Sequence, residues 1–304
     1  MIHLIDGMHL GTPHVVCVAL VECGPDELLL VDTGPETVFD TVVGAIRNLG
    51  FQPAHVRHLL ASHIHLDHSG GAWRWAKEFG TKVYVNPKGA PHLIDPSKLI
   101  SSARRIYGDQ LEYLWGNVEG IAEDQVITVE EGTQLKFGRE QFVVLYTPGH
   151  AQHHNAYWLK SEQTAFVGDL AGVRIPGGPI TPPCPPPDIH LELWKESLEK
   201  IRALKLASLH LTHFGRVDQP IDAIDTLEEC LFSWADWIRQ RMLEGKSEAQ
   251  IVPEFEDFTR QKLIEAGTPQ EVLAIYEQAD PAFMSVAGLV RYWQKFHPDQ
   301  VRTR

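Results

Sequence analysis

Short runs of apolar residues alternate with turn residues over the first two thirds of the chain. Runs of about four to eight residues that are rich in β-branched and aromatic side chains predict strands, whereas apolar residues spaced three or four apart predict helices. Strands are therefore predicted at residues 15–22, 27–32, 56–61, 82–85, 126–129, 134–137, 142–146, 156–159, 164–167 and 207–211. Helices are predicted at residues 36–49, 72–79, 93–107 and 191–204.

This mixture of strands and helices indicates an α/β (α+β) protein in which sheets are covered by helices. The strands between residues 126 and 169 are short and separated by Gly132 and Gly138, which favours a largely antiparallel sheet. Seven prolines fall within residues 174–188, so this segment is predicted to be extended rather than helical. It is either a surface spacer or a wall of the functional site, since it follows Asp169 closely.

The pattern changes at residue 217, after which apolar residues recur at helical spacing. Helices are predicted at residues 221–243, 247–266, 269–279 and 281–296. We therefore predict two units, a mixed α/β domain at residues 1–216 and a helical C-terminal subdomain at residues 217–304. The apolar face of these helices packs on the rest of the chain, and part of it is available for a homodimer contact.

Composition argues against several classes of function. The formal net charge is −13 and no block of Lys or Arg interrupts it, which argues against a nucleic-acid partner. No segment is apolar enough to span a membrane, and the first residues do not resemble a signal peptide, so we expect a cytoplasmic protein without a membrane partner. The cysteines lack the C-x-x-C spacing of zinc fingers; they are Cys17, Cys23, Cys184 and Cys230.

The strongest chemical signal is a group of metal-binding side chains directly after the predicted strand 56–61. His63, His65, Asp67 and His68 lie within six residues of one another. Neutral imidazole and carboxylate are suitable ligands for zinc or iron, and a loop at the end of a strand can direct several of them to one point. The sequence therefore predicts a metal site here.

The pattern H-x-H-x-D-H at residues 63–68 resembles the signature of the metallo-β-lactamase superfamily. Four further motifs resemble those of the same family in order and spacing over about two thirds of the chain, residues 14–215. They are Leu30-Val31-Asp32-Thr33-Gly34, Tyr146-Thr147-Pro148-Gly149-His150, Phe166-Val167-Gly168-Asp169 and Leu211-Thr212-His213-Phe214-Gly215. The run from Pro183 to Asp188 is similar to that of poorly characterised bacterial and archaeal members.

This resemblance implies a four-layer αβ/βα sandwich with two divalent metal ions at one edge. Zinc is the first expectation, with iron or manganese as alternatives. One ion would be held by His63, His65 and His150, and the other by Asp67, His68 and His213, with Asp169 bridging the two. Such ions share a hydroxide that attacks the substrate, so no serine or cysteine nucleophile is needed.

Three further residues are assigned roles near the expected metals. Asp67 is predicted to be catalytic, because its carboxylate can orient the hydroxide as well as bind metal. His154 is predicted to be a second catalytic residue, since lactone-hydrolysing members often carry a histidine there. Asp32 is expected either to bond the outer nitrogen of a ligand histidine or to cap its own turn. Six other histidines are expected to be structural or superficial, namely His55, His58, His92, His190, His210 and His297.

These features favour a metal-dependent hydrolase of small ester, lactone or thioester substrates. An iron-dependent redox enzyme, such as a flavodiiron or persulfide dioxygenase type, is the alternative on the same fold. His65 stands where flavodiiron proteins typically have Glu, and no flavin-binding domain is recognisable after residue 215. A binding module without catalysis is the third possibility, and it is disfavoured because all seven ligand positions are filled.

Overall fold

The computed structural model describes residues 1–302, and its first sheet is built from the N-terminal part of the chain. Its six strands lie side by side in chain order. They are β1 (Ile2–Asp6), β2 (Cys17–Gly24), β3 (Glu27–Val31), β4 (Val56–Leu60), β5 (Lys82–Val85) and β6 (Val126–Thr128). The pairs β1–β2 and β2–β3 are antiparallel, and the pairs from β3 to β6 are parallel.

The second sheet also has six strands, formed by the next part of the chain. They are β7 (Gln134–Phe137), β8 (Glu140–Tyr146), β9 (Asn155–Leu159), β10 (Thr164–Gly168), β11 (Ser208–Leu211) and β12 (Gly215–Val217). Their spatial order is β12-β11-β10-β9-β8-β7. Only the β10–β11 pair is parallel among these described strands, because a helix crosses between them.

Eleven α-helices occur within residues 1–302. Six precede the second sheet: α1 (Phe39–Asn48), α2 (Leu66–Ser69), α3 (Ala72–Phe79), α4 (Ala90–Ile94), α5 (Ser97–Tyr107) and α6 (Leu111–Trp115). The others are α7 (Leu191–Ala203), which joins β10 to β11, and α8 (Pro220–Leu243), α9 (Glu248–Glu265), α10 (Gln270–Ala279) and α11 (Ala282–Phe296). None of the described helices is both long and apolar enough to cross a bilayer.

Alternating side chains place the two sheets face to face between layers of helices. In β2, Leu20 packs with α1 and α3, whereas its neighbour Val21 enters the core between the sheets. In β8, Val144 enters that same core, and Leu145 packs on the opposite side with α7 and α8. Because successive side chains of a strand point to opposite faces, each sheet is covered on both sides. The expected four-layer sandwich is confirmed.

The C-terminal helices pack against the outer face of the second sheet. In α8, Leu227, Leu231 and Ile238 are fully buried and lie in one cluster with Leu209 of β11. Spacings of four and seven residues place them on one face of the helix. The helical C-terminal region is confirmed, while the domain boundary at residue 216 and the homodimer stay predictions.

Two details of the sequence prediction were wrong. Strand β6 joins the first sheet, where it is parallel to β5, rather than the antiparallel strands that follow it. The helix predicted at residues 93–107 is interrupted by Asp95, whose backbone is extended. Pro96 explains this break, because the ring of a proline disfavours helical backbone in the residue before it.

Candidate metal centre

Four loops bring the predicted ligands to one edge of the sandwich. His63 and His65 follow β4, and the same loop continues into α2, which carries Asp67 and His68. The remaining ligands follow strands of the second sheet: His150 lies beyond β8, Asp169 directly follows β10, and His213 lies between β11 and β12. The centre therefore depends on both sheets being in place.

The loop before His150 passes very close to helix α7. A side chain at Gly149, whose φ is +139°, would place its Cβ atom 2.4 Å from the backbone nitrogen of Trp194. Only glycine tolerates both this backbone conformation and this approach. The glycine of the T-P-G-H motif thus lets the loop direct His150 inward.

The structure gathers all seven predicted ligands into two groups whose candidate donor atoms lie within 4.8 Å of one another. The first group comprises His63, His65, His150 and Asp169, and the second comprises Asp67, His68 and His213. In the first, His65 Nδ1 lies 2.9 Å from His63 Nε2 and 3.1 Å from His150 Nε2. Donor atoms that share one zinc ion at tetrahedral angles are about 3.3 Å apart, so this spacing fits a cation between them.

Asp169 connects the two groups. Its Oδ2 atom lies 3.3 Å from His150 Nε2, and its Oδ1 atom lies 3.3 Å from His68 Nε2 and 3.6 Å from His213 Nε2. One carboxylate thus presents a different oxygen to each group. This is the geometry of a bridging ligand.

The outer nitrogens of three ligand histidines are held by hydrogen bonds that fix how the rings point. His150 Nδ1 donates to the carbonyl oxygen of Pro183 at 2.9 Å, and His213 Nδ1 donates to that of Val15 at 2.6 Å. His68 Nδ1 donates to Asp32 Oδ2 at 2.9 Å. Because Nδ1 carries the proton in each neutral ring, Nε2 keeps its lone pair toward the centre.

Asp32 organises the loops beneath the second group, as one of its two sequence interpretations predicted. Its carboxylate accepts hydrogen bonds from the Ser62 backbone nitrogen at 2.7 Å and from the hydroxyls of Ser62 and Thr212, each at 2.8 Å. It also accepts the bond from His68. Since Asp32 is buried, these donors offset the cost of removing its charge from water.

The electrostatics of the centre favour a cation. Burial lowers the pKa of His63, and it lowers the pKa of His150 to about 4. Burial alone would also lower the pKa of His68, but the neighbouring carboxylates, Asp169 foremost, raise it well above its usual value. The three histidines of the first group are therefore neutral and ready to bind metal, whereas in the second group a metal ion would replace the proton on His68.

Two buried atoms at the centre support this interpretation. His68 Nε2 and Asp169 Oδ1 have no hydrogen-bond partner among the described residues, although they lie only 3.3 Å apart. Buried polar atoms rarely stay unpaired, and a shared divalent ion would satisfy both. The residues present therefore fit a metal centre.

The two residues predicted to be catalytic occupy different surroundings. The side chain of Asp67 is 25% exposed, lines the central cavity and lies 3.3 Å from His213 Nε2. His154 is fully buried behind His63, with ring centroids 5.1 Å apart, and shares a hydrogen bond of 2.8 Å with the Thr147 hydroxyl. The catalytic roles of both residues stay predictions.

A cavity of about 660 Å³ opens onto both ligand groups. Pro183 and residues 185–188 line it, so the proline-rich segment forms a wall of the site, as one interpretation predicted. Three other lining residues were missed by sequence reasoning: His9, Tyr107 and Asp280. They lie far apart in the chain and outside the recognised motifs, so no local signal pointed to them.

Comparisons with known proteins agree with this geometry. A family model described as the metallo-beta-lactamase superfamily matches residues 11–213. A metallo-beta-lactamase fold-containing protein of Sulfurisphaera tokodaii is 29% identical over 224 residues, which are 72% of this chain and 80% of that protein. A hydroxyacylglutathione hydrolase of Mesorhizobium japonicum is 29% identical over 167 residues, or 55% of this chain and 50% of that enzyme. The crystal structure of a metallo-beta-lactamase family protein from Thermus thermophilus shares the fold, with a TM-score of 0.69, 19% identity and coverage of 97% of this chain and 93% of that one.

Proposed function

The chain belongs to the metallo-β-lactamase superfamily, and from that premise we propose that it is a binuclear metal-dependent hydrolase of small ester, lactone or thioester substrates. The observation that carries the proposal is the position of Asp169, whose two oxygens face separate groups of histidines. A centre for two ions is thereby favoured over a centre for one.

We propose zinc as the native metal. Five histidines and two carboxylates form a donor set that zinc accepts readily, and iron and manganese are the alternatives. Two bound ions would supply Lewis acidity, which lowers the pKa of a water molecule toward about 7 and polarises a substrate carbonyl. The chain then has to orient the water and the substrate.

Asp67 is proposed to orient the attacking water. Its carboxylate faces the cavity, and its Oδ2 atom lies 3.3 Å from His213 Nε2, so it can accept a hydrogen bond from that water while it contributes to the second group of ligands. His154 is proposed to act indirectly. Its ring packs against His63, so it would influence the reaction by positioning that ligand.

The relatives support hydrolysis more than redox chemistry. The Mesorhizobium relative is named as a hydrolase of a hydroxyacylglutathione, whereas no relative described above has a name that denotes redox chemistry. Only half of that enzyme is covered by this chain. Its name therefore supports the class of reaction proposed here, but it does not support the same substrate.

The substitution Asp67→Asn tests the proposed role of that side chain. The amide should lower kcat about 100-fold or more, because it weakens both the orientation of water and one metal contact. KM should change by less than about fivefold, since most of the cavity is untouched. Steady-state kinetics on an ester, with metal content measured in parallel, provide the check. An increase in KM by the same factor as the decrease in kcat would argue against the orienting role.

Elemental analysis and a substrate panel test the function as a whole. Protein purified without added metal should contain about two metal ions per chain, and His63→Ala should lose metal and hydrolysis together. The panel comprises an ester, a lactone, a thioester and a phosphodiester, with oxygen consumption measured on thiol and persulfide substrates for the iron form. Oxygen-dependent turnover without hydrolysis would overturn the proposal in favour of the redox alternative.

A further inference from the structure

The active-site cavity is much larger than the bond to be hydrolysed requires, and its walls away from the metal ligands are mostly apolar. Its volume of about 660 Å³ lies within the range of sites that enclose a whole small molecule. Two walls from different parts of the fold line it. One belongs to α5 and α6, and the other to the proline-rich segment and the junction of α10 with α11.

The first wall presents one face of a helix to the cavity. Leu99, Ala103 and Ile106 of α5 recur at spacings of four and three residues, which places them on one side of the helix. Leu114 and Trp115 of α6 extend the same surface. Behind it, α5 and α6 pack on Leu66 and on one another through a small apolar cluster, so the wall is a fixed part of the fold.

The second wall is also apolar, and part of it is exposed. Pro185 and Pro186 contribute ring surfaces that need no polar partner, and Phe283 and Met284 at the start of α11 lie beside them. Phe283 is 40% exposed, although most large apolar residues of the chain are buried. An exposed aromatic side chain on a cavity wall gains stability when an apolar ligand covers it.

The charges around the cavity disfavour anionic substrates. Among the described residues that line it, Lys98 is the only Lys or Arg. Two carboxylates stand apart from the metal ligands on the same lining, namely Asp188 and Glu277, whereas burial raises the pKa of a third, Asp280, to about 7. Away from the metal centre, a substrate carrying several carboxylates or phosphates would meet these like charges without a cluster of basic residues to balance them.

From these walls and charges we infer that the substrate is an uncharged ester or lactone with a medium-length apolar chain, which lies between Ile106 and Phe283 while its carbonyl faces the metal ligands. This inference rests on the proposed function and narrows it. Thioesters of anionic carriers, such as glutathione or coenzyme A, are then poor substrates. The length of the apolar chain of the substrate is limited by the volume of the cavity rather than by the metal centre.

The expected signature is a dependence of kcat/KM on chain length. Each methylene group that enters an apolar site contributes up to about a fourfold gain. On uncharged p-nitrophenyl esters from acetate to dodecanoate, kcat/KM should therefore rise at least 30-fold from two to eight carbons and then level off or fall. A lactone that carries a hexyl chain should exceed unsubstituted butyrolactone by a similar factor, and S-lactoylglutathione should fall below the octanoate ester.

A bulky residue on the first wall should remove this preference. In Ile106→Trp, the indole occupies the space of the chain, so kcat/KM for the octanoate ester should fall at least tenfold relative to the acetate ester. The matched control is Arg105→Trp, which adds the same side chain one position earlier, where α5 is exposed and does not line the cavity. The control should keep the chain-length profile of the unmodified protein.

A second variant keeps the test informative if the first does not fold. Phe283→Ser changes a side chain that is already 40% exposed. It should lower kcat/KM for the octanoate ester, relative to the acetate ester, by at least threefold. A flat profile in the unmodified protein, or a preference for S-lactoylglutathione, would overturn the inference while leaving the hydrolase intact. Absence of turnover on every uncharged and anionic ester of the panel, in protein with full metal content, would instead overturn the proposed function.

Discussion

At the scale of single residues, His210 shows how a polar side chain in the core links stability to pH. It lies on β11, is buried and stacks on Phe166 with ring centroids 4.9 Å apart. Neither of its ring nitrogens has a hydrogen-bond partner among the described residues. Burial, assisted by Arg216, lowers its pKa from 6.5 to about 4, so the folded protein holds the neutral ring.

His210 should therefore make the protein less stable as the pH falls from about 6.5 to about 4. In that range the unfolded chain binds a proton that the folded chain does not, and the free energy of unfolding decreases. The variant His210→Phe should lack this decrease. Its free energy of unfolding, relative to that of the unmodified protein, should therefore rise by about 2 kcal/mol between pH 7.5 and pH 5. Urea unfolding at the two pH values measures the difference.

His210→Leu serves as the matched control for this experiment. It also lacks the imidazole but cannot stack on Phe166, so it should show the same change with pH at a lower absolute stability. A stability difference that does not vary with pH in either variant would contradict the titration of His210.

Residues within motifs were predictable, and residues joined only by the fold were not. The ligands from His63 to His68 could be assigned because four candidate metal-binding residues lie within one loop. Asp32 could be assigned because it ends a strand beside a turn. His9 reaches the same cavity from the loop after β1, where nothing in the local sequence distinguishes it from a surface histidine. Such a residue is identified only when the packing of distant segments is known.

At the scale of elements, the contact between α11 and the proline-rich segment is unusually close. A Cβ atom at Gly288 would lie 1.9 Å from the carbonyl oxygen of Cys184. Nearby, Ser285 Oγ accepts a hydrogen bond of 3.1 Å from the backbone nitrogen of Cys184. The same segment provides the Pro183 carbonyl that holds His150. Helix α11 therefore helps to position His150, a proposed metal ligand that it does not touch.

Gly288→Ala should test this connection. The added methyl group must push the proline-rich segment away, at a cost of about 1–3 kcal/mol in the free energy of unfolding. Because Pro183 moves with it, we also expect metal to be lost at a lower chelator concentration than from the unmodified protein. Thermal unfolding and chelator titration measure the two effects.

The control for this substitution is Gly44→Ala in α1. A Cβ atom there meets nothing within 4 Å, and alanine is favoured over glycine in a helix by about 1 kcal/mol. This variant should be as stable as the unmodified protein or slightly more stable, with unchanged retention of metal. If Gly288→Ala behaved in the same way, the proposed coupling between α11 and His150 would be wrong.

Elements with a strong local pattern were predicted well, and two strands at sheet edges were not. The helices from α8 to α11 agree with prediction to within one residue at most ends, because their apolar faces repeat over many turns. The short strands β1 and β12 were missed. Both lie at sheet edges, where pairing with a distant strand supplies the stability that their own sequences lack.

At the scale of the whole molecule, the second sheet and the C-terminal helices share one hydrophobic core. Leu231 and Trp234 of α8, Phe255 of α9 and Leu289 of α11 lie in the same cluster as Trp194 of α7. Removing these helices would expose the apolar surface of α7 and the second sheet to water. The C-terminal helices thus stabilise the sheet that carries part of the metal centre. This holds wherever the boundary of the catalytic domain is placed.

Truncation after Arg216 should consequently give a protein that aggregates or unfolds at a much lower temperature. Loss of a shared core of this kind removes many buried side chains, each of which contributes about 1.5–3 kcal/mol. Removal of residues 299–304 alone is the control and should leave solubility unchanged. Size-exclusion chromatography and thermal unfolding compare the two truncations. A soluble, equally stable fragment ending at Arg216 would contradict the shared core.

The division of the two sheets along the chain has a consequence for synthesis on the ribosome. All strands of the first sheet precede residue 129, and all strands of the second follow residue 133. Nascent domains acquire structure from the N-terminus onward, so the first sheet can pair while its inner face still awaits the partner that covers it. That face includes Val21, Leu29 and Leu60. We expect nascent chains that end before β7 to bind chaperones, and those that extend past α11, which completes the core on the second sheet, to be released from them and to gain the ability to retain metal.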